Sequence, residues 1–586
     1  MNIELQRARG RQMFIFLLVC FGMLVLLGRL YYWQVLDGPR LAKLANDEHV
    51  QSQDLKAPRG RIYDAQGNIL ALNVVRDDVY IEPRQFRLDH EHDDQAGDAL
   101  ATLAHSLHQV LPDVSEDGLI KKFDSDAWTL RIHRTIEPAQ SEQLRRMHLK
   151  DVFLQPLPVR SYPGGDLAAQ VLGYVNSDGV GNYGIESQYN KVLAGKPGSL
   201  TAETDLDGNP LTVGASSGQA AVPGANLTLT IDSTIQYTVQ TALVNTIQKL
   251  QAQSGTVVVL NAHTGAVVAM AGAPSFNPNH YGDYATQMGC ANSASVYFNP
   301  ALYCTYEPGS TMKSVTMAAG LDQGLITPDS WLDDPGYITF KDGTPEVTNW
   351  EYKPYGRETM TQVLEHSANV GTAYVAHDVL HAEHYYPYLA RFGFGQAYNI
   401  DGPEQVGVYR TDKSKDWTAS DLTRQAFGQS ISTTPFQMAM VYDAIANGGA
   451  MMQPYLVASV NDNGHVTATQ PQVKRQIISV QAAKQLSSML VSAANYNKQA
   501  TIPGYSVAVK TGTATTQGLP DNQTEASMVG FLPASNPQFV VLVKIDRPSA
   551  AVASGTAIFG GTAAAPLWKN IAQELMWHYN VPPDQQ

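Results

Sequence analysis

The chain has 586 residues, 44% of them hydrophobic and 16% charged, and its 54 acidic against 40 basic side chains leave a formal net charge of −14. That length buries a core without disulfide staples or structural metals, and the acidic balance argues against a duplex nucleic-acid binder, which needs a basic footprint. Three cysteines are too few for a disulfide scaffold, no Cys/His spacing resembles a zinc site, and no low-complexity tract points to global disorder.

Arg7, Arg9 and Arg11 precede an apolar run from Met13 to Gly28, which Arg29 interrupts and Leu30-Tyr31-Tyr32-Trp33 closes with aromatic rings. As a helix, residues 13–33 rise about 30 Å, enough to cross a hydrocarbon core. The arginines on the short side place residues 1–12 in the cytoplasm and the rest of the chain outside it, a single-pass topology in the cell membrane. A cleaved signal peptide is the rival reading, but the run is longer than most signal cores and no A-x-A site follows it. Arg29 has two open readings: snorkelling to the outer headgroups, or contact with another membrane protein.

Residues 34–222 carry mixed strand and helix signals broken by Gly and Pro. Ile69–Leu72 and Val79–Ile81 read as short strands, residues 96–111 as a helix, and the glycines from Gly164 to Gly198 as a loop-rich module. The run Asp89-His90-Glu91-His92-Asp93-Asp94 looks like a metal site, yet consecutive residues do not converge easily on one ion; it reads as a solvated loop before a helix. Near Val222-Pro223-Gly224 the character changes. Leu227–Ile231 alternates like a strand, Thr234–Gln251 reads as a helix, and Thr256–Leu260 with Ala266–Met270 forms a hairpin around Asn261–Gly265. A second domain is therefore expected over residues 223–580.

Three short motifs in that domain form one chemical set. In Glu307-Pro308-Gly309-Ser310-Thr311-Met312-Lys313, Ser310 and Lys313 fall three apart at the start of a helix and share a face. A serine hydroxyl needs a base to become a nucleophile, and a lysine with a lowered pKa can supply it. Ser367-Ala368-Asn369 offers a hydroxyl and an amide two residues apart. Lys510-Thr511-Gly512-Thr513 closes an alternating strand, Tyr505–Val509: Gly512 lets a substrate backbone approach, and Lys510 with two hydroxyls makes a carboxylate-binding edge. S-x-x-K, S-x-N and K-T-G in this order are the combination of penicillin-binding proteins and class A β-lactamases.

With these motifs the chain resembles the class B penicillin-binding proteins, monofunctional D,D-transpeptidases of peptidoglycan synthesis. The likeness extends to Arg59-Gly60-Arg61-Ile62-Tyr63-Asp64 with Gly67, Arg160-Ser161-Tyr162-Pro163, Gly184-Ile185-Glu186, Leu193-Ala194-Gly195, Phe427-Gly428-Gln429, Ala446–Gly449 and Met528–Pro533. Two departures stand out: Ala368 where Ser is frequent, and Ser430 after Gln429 where Gly is usual. The resemblance implies a transmembrane helix, an α+β pedestal over residues 34–222 and an α/β transpeptidase domain, its antiparallel sheet flanked by helices as in serine β-lactamases. The pedestal signatures are expected to hold the fold rather than to act in catalysis.

The resemblance also implies the chemistry. Ser310 attacks the penultimate D-Ala of a stem peptide, Lys313 accepts its proton, and Ser367 relays a proton to the leaving amine beside Lys510. Asn369 orients the peptide, backbone N–H groups of Ser310 and Thr513 hold the oxyanion, and Thr511, Gly512 and Thr513 bind the terminal carboxylate. No cofactor or metal is required, and a D,D-carboxypeptidase side activity is compatible. Implied partners are stem peptides, β-lactams, a SEDS-type membrane glycan polymerase and other divisome or elongasome proteins, with no nucleic acid. The S-x-N form and the end of the chain at residue 586 lean toward a division role. A β-lactamase would need a water-activating glutamate, and none of that kind follows Asn369; a scaffold or sensor would not need intact motifs; a bifunctional polymerase would carry glycosyltransferase motifs before residue 222. Cys290 and Cys304, in an exported region, are either paired or two free thiols.

Overall fold

The apolar run lies on a helix, Ile3–Tyr31, that continues through a wider turn to Leu36. It is long and apolar enough to cross a membrane, and its described side chains from Met13 to Leu36 are almost all exposed. The computed structural model describes residues 3–41, 50–203, 216–290, 294–498, 500–515, 524–549 and 559–585. The chain divides into two compact units, residues 1–58 with 195–224, and residues 59–194 with 225–586. In the first, Val50–Leu55 pairs antiparallel with Gly198–Glu203, which in turn pairs with Ser216–Gln219.

In the second unit, where the hydrophobic pattern predicts two short strands, the structure has one, Ile69–Ile81. The polar residues in its middle are matched rather than exposed to a break. Asp77 meets Arg145 at 2.6 Å, and Asp78 accepts from Arg131 at 3.2 Å and from the Thr135 N–H at 2.8 Å. This strand pairs with Val152–Ser161 along its length and with Leu130–Ile136 near its end. The same sheet takes in Ile62–Tyr63, Asn226–Leu229 and Val457–Asp462, so residues beyond 223 contribute strands to it. The predicted helix is present as Ala96–Val110. Beside it, the Asp89–Asp94 run forms a turn in which His90 Nδ1 bonds the Phe86 carbonyl oxygen at 2.9 Å and stacks on the Phe86 ring.

The arginine and glutamate signatures converge on one buried carboxylate. Glu186 Oε2 accepts from Arg59 Nε at 2.8 Å, and Oε1 accepts from Arg160 Nε at 2.7 Å and from the Tyr162 hydroxyl at 3.3 Å. Arg160 Nη1 also donates to the Gly60 carbonyl oxygen at 2.7 Å, and Arg59 Nη1 to Asn190 Oδ1 at 2.9 Å. Two planar guanidinium groups thus saturate one carboxylate from which water is excluded, an arrangement that locks four stretches of chain together.

The other main sheet has five antiparallel strands in the order Val267–Ala273, Ser254–Asn261, Phe539–Asp546, Thr524–Leu532, Ala508–Thr515. Its central strands read as unbroken apolar runs because both faces are covered. Val257, Val259, Val541 and Val543 pack on Ser233–Leu250 and Ala565–His578, where the Trp568 indole donates to the Val541 carbonyl oxygen at 2.8 Å. Val258, Leu260, Val540 and Leu542 belong to the core on the opposite face, with Pro435–Ala446, Lys313–Asp322 and Val480–Asn497. Cys290 and Cys304, the pair left open by the sequence, form a disulfide with Cα atoms 5.7 Å apart.

Candidate active site

Pro308 and Gly309 end an extended segment, and a tight turn, Gly309–Met312, leads into the helix Lys313–Asp322. The turn is pinned on several sides. The Gly309 N–H donates to the Gly428 carbonyl oxygen at 3.0 Å, Tyr306 and Thr433 exchange both backbone bonds at 2.9 Å, and the Tyr442 hydroxyl donates to the Thr311 carbonyl oxygen at 3.1 Å. Gly309 has φ +55, and a Cβ there would stand 2.7 Å from the Thr513 carbonyl oxygen. A side chain at 309 is therefore excluded twice, by conformation and by the strand edge it would strike. The result is a half-buried Ser310 held within a few ångströms of the Thr513 backbone.

Lys313 follows on the same face and is fully buried. Its amine donates to Asn369 Oδ1 at 2.9 Å and to the Ser367 carbonyl oxygen, and it lies 3.3 Å from Ser367 Oγ. These bonds go to the Ser-Ala-Asn segment rather than to the Ser310 hydroxyl, which lies one turn earlier. Burial first, and then the Lys510 charge, hold the Lys313 amine well below the ordinary lysine range, with Glu358 acting in the opposite direction.

Ser367 caps the helix Met360–His366 in the left-handed region, at φ 57 and ψ 39. That strain points its hydroxyl at two amines, since Lys510 Nζ also donates to Ser367 Oγ, at 2.9 Å. Ala368 is buried behind it. Asn369 starts the next helix, and its backbone N–H and that of Val370 both donate to Asn349 Oδ1, at 2.8 and 3.1 Å. Asn349 thus fixes the turn from twenty residues upstream in the sequence.

The alternation of Tyr505–Val509 predicts that Lys-Thr-Gly-Thr closes a strand; the strand instead runs Ala508–Thr515, with the motif inside it. It is the last strand of its sheet among the described residues, which leaves one edge for an extended ligand. Lys510 is 3% exposed, and burial lowers its amine to about 8. Gly512 would bring a Cβ 2.4 Å from Ser527 Oγ and 2.7 Å from the Pro308 carbonyl oxygen, so only glycine lets this strand lie against the Ser310 turn. Thr513 Oγ1 accepts from the Gly560 N–H at 3.0 Å, leaving its own proton to donate. Thr511 and Thr513 share a face of the strand.

Sequence reading missed three buried groups around this cluster: Asp334, Asn349 and Glu358. Each stands outside any local motif, and only their clustering in space marks them. Among the described residues, no group of His, Cys, Asp and Glu is placed to hold a metal ion.

Residues 255–573 match the family described as the penicillin binding protein transpeptidase domain, and residues 54–229 the penicillin-binding protein dimerisation domain. Stage V sporulation protein D of Bacillus subtilis is 30% identical, over 100% of this chain and 88% of that protein. Penicillin-binding protein PbpB of Mycobacterium tuberculosis is 31% identical, over 96% and 84%, and peptidoglycan D,D-transpeptidase FtsI of Escherichia coli K12 is 28% identical, over 97% and 91%. Among solved structures, penicillin binding protein 3 of Mycobacterium tuberculosis complexed with aztreonam aligns with a TM-score of 0.66 and 27% identity, covering 91% of this chain and 98% of that one.

Proposed function

Since the chain belongs to the class B penicillin-binding proteins, with a dimerisation domain followed by a transpeptidase domain, we propose that Ser310 is the residue it acylates as a peptidoglycan D,D-transpeptidase. The observation that carries this assignment is the meeting of Lys313, Ser367, Asn369 and Lys510 in one buried hydrogen-bonded cluster, one helical turn from Ser310.

The reaction follows from what each group can do. Ser310 Oγ attacks the carbonyl carbon of the penultimate D-Ala, and its proton passes to the Lys313 amine, whose hold on a proton is weakened first by burial and then by the Lys510 charge. Negative charge developing on the carbonyl oxygen is met by the backbone N–H groups of Ser310 and Thr513; one such donor contributes about 3–4 kcal/mol at the transition state. As the C–N bond breaks, the Ser367 hydroxyl gives its proton to the leaving D-Ala amine and is resupplied from Lys313, whose amine lies 3.3 Å from the same oxygen, while Lys510 keeps its charge beside it. Thr511, Gly512 and Thr513 receive the terminal carboxylate along the free strand edge. An amine of a second stem peptide then attacks the ester, releasing Ser310 and forming the cross-link. A β-lactam enters the same path because its amide and carboxylate imitate the donor, and it stays because its leaving group remains tethered.

The apolar helix supports a membrane-anchored protein. Arg7, Arg9 and Arg11 favour a cytoplasmic amino terminus with the catalytic domain outside. A transpeptidase without its own polymerase domain works beside a membrane glycan polymerase of the SEDS type, in the septal machinery to which the FtsI name of one relative points. Incubating the detergent-solubilised full chain with a labelled penicillin tests the central assignment. A covalent adduct on the wild type that Ser310→Ala loses is expected; an adduct of equal yield in that variant overturns it.

A further inference from the structure

Glu358 lies on the strand Gly356–Thr359, opposite Leu332 of Trp331–Asp334, and is 1% exposed. Its Oε2 is 2.9 Å from His366 Nδ1, and no N–H or hydroxyl donor reaches Oε1. Asp334 lies on the same face of this strand pair, diagonally across from it, and acts with burial to raise the Glu358 carboxyl. Asp334 already accepts from the Gly336 N–H and from Asn349 Nδ2, each at 2.7 Å. Asp334 is thus supplied with donors where Glu358 Oε1 has none, and we assign the proton of this pair of acids to Glu358. A Cβ on Gly371 would lie 3.3 Å from Glu358 Oε1, which places this acid directly behind the helix start that carries Asn369, within the field of Lys313.

We propose that Glu358 is a positioning residue of the transpeptidase: held uncharged by Asp334, it leaves the Lys313 amine free of a proton and able to act as a base. The inference rests on the reading of Lys313 as the base and adds what sets its state. If Glu358 gave its proton to Lys313, the pair would hold the same number of protons, but the nitrogen lone pair would be occupied and the proton of Ser310 would have no acceptor. Burial, with Asp334, raises the Glu358 carboxyl to about 8, which keeps it protonated at neutral pH. The other titratable groups facing it do not supply a competing negative charge. Burial lowers the His366 imidazole, Tyr355 stacks on that ring at 4.2 Å, Tyr496 meets it edge-on, and Lys510 stands beyond Ser367.

The test is the pH profile of acylation by a labelled penicillin in the full-length wild type, Asp334→Asn, Glu358→Gln and the double variant. Removing the Asp334 charge lets Glu358 ionise near neutrality, so Asp334→Asn moves the acid limb up by about one pH unit, a roughly tenfold loss of rate on its acid side. Glu358→Gln does not move the limb upward, and adding it to Asp334→Asn returns the limb to the wild-type position. A limb that stays in place in Asp334→Asn, or stays displaced in the double variant, overturns the proposal. A merely structural role would not be rescued by the second substitution. Isotope-edited infrared spectra give an independent readout if Asp334→Asn does not fold: the wild type near neutral pH carries a protonated carboxylic-acid band that Glu358→Gln lacks, and no such difference also overturns the proposal. Failure of the underlying reading looks different, because Lys313→Ala would then acylate as fast as the wild type at every pH.

Discussion

Lys313 and Lys510 meet on a single oxygen, Ser367 Oγ, at 3.3 and 2.9 Å. Two amines around one hydroxyl are stable only if they do not both carry full charge; burial lowers both, and the Lys510 charge lowers Lys313 in addition. One lysine is thereby suited to receive a proton and the other to keep one.

Lys510 is charged below about 8 and neutral above it. The second-order rate constant for acylation by a carboxylate-bearing penicillin should therefore fall above that pH, by about tenfold per unit, as the carboxylate loses its cation. In Lys510→Arg, whose charge persists, this alkaline limb should disappear even if the overall rate is lower. Stopped-flow acylation across the range checks it; an unchanged limb in the arginine variant contradicts the assignment.

Ser367 occupies a left-handed conformation that a serine adopts at a cost of about 1 kcal/mol. Ser367→Gly should relieve that cost and raise the unfolding midpoint slightly, while acylation drops by at least about 100-fold for want of the relay hydroxyl. Thermal unfolding and adduct formation, measured on the same preparation, should move in opposite directions.

Removing Glu186 leaves two arginines facing each other in a dry interior. Glu186→Ala is expected to destabilise the protein by about 3–5 kcal/mol. Arg87→Ala, which breaks an exposed pair with Asp126, should cost less than about 1 kcal/mol. Denaturant titrations of the two variants make the comparison.

Asp443 is fully buried, neither of its oxygens has a well-formed hydrogen bond, and burial pushes its carboxyl well above the ordinary range against the opposing effect of the Met452 N–H. The folded chain therefore holds this proton at pH values where the unfolded chain has released it. The contribution is fully present below the unfolded pKa and is lost as pH rises toward the folded one. Asp443→Asn, which needs no proton to be neutral, should match the wild type in acid and unfold several degrees higher near neutral pH. A Tm difference that is flat with pH would contradict this.

Much of the candidate site was legible because its residues come from short motifs whose spacing is local: Ser310 and Lys313 on one turn, Ser367 and Asn369 across one bend. The strand around Lys510 was less so. Tyr505–Val509 alternates more clearly than Lys510–Thr515, yet backbone pairing with Thr524–Leu532 carries the strand through the polar residues. Ser430 illustrates a departure that the backbone explains: its φ of 56 is the conformation glycine takes most easily, and its N–H is held by Glu307 Oε1 at 2.9 Å. Asp334 and Glu358 stayed hidden because an acid in a short strand looks like any surface acid until strand pairing puts two of them on one buried face.

Asn349 gives one oxygen to two N–H groups at the start of the helix that bears Asn369, and its amide nitrogen to Asp334. Substituting this residue, which lies outside all three signatures, would tilt that helix start while every motif stays intact.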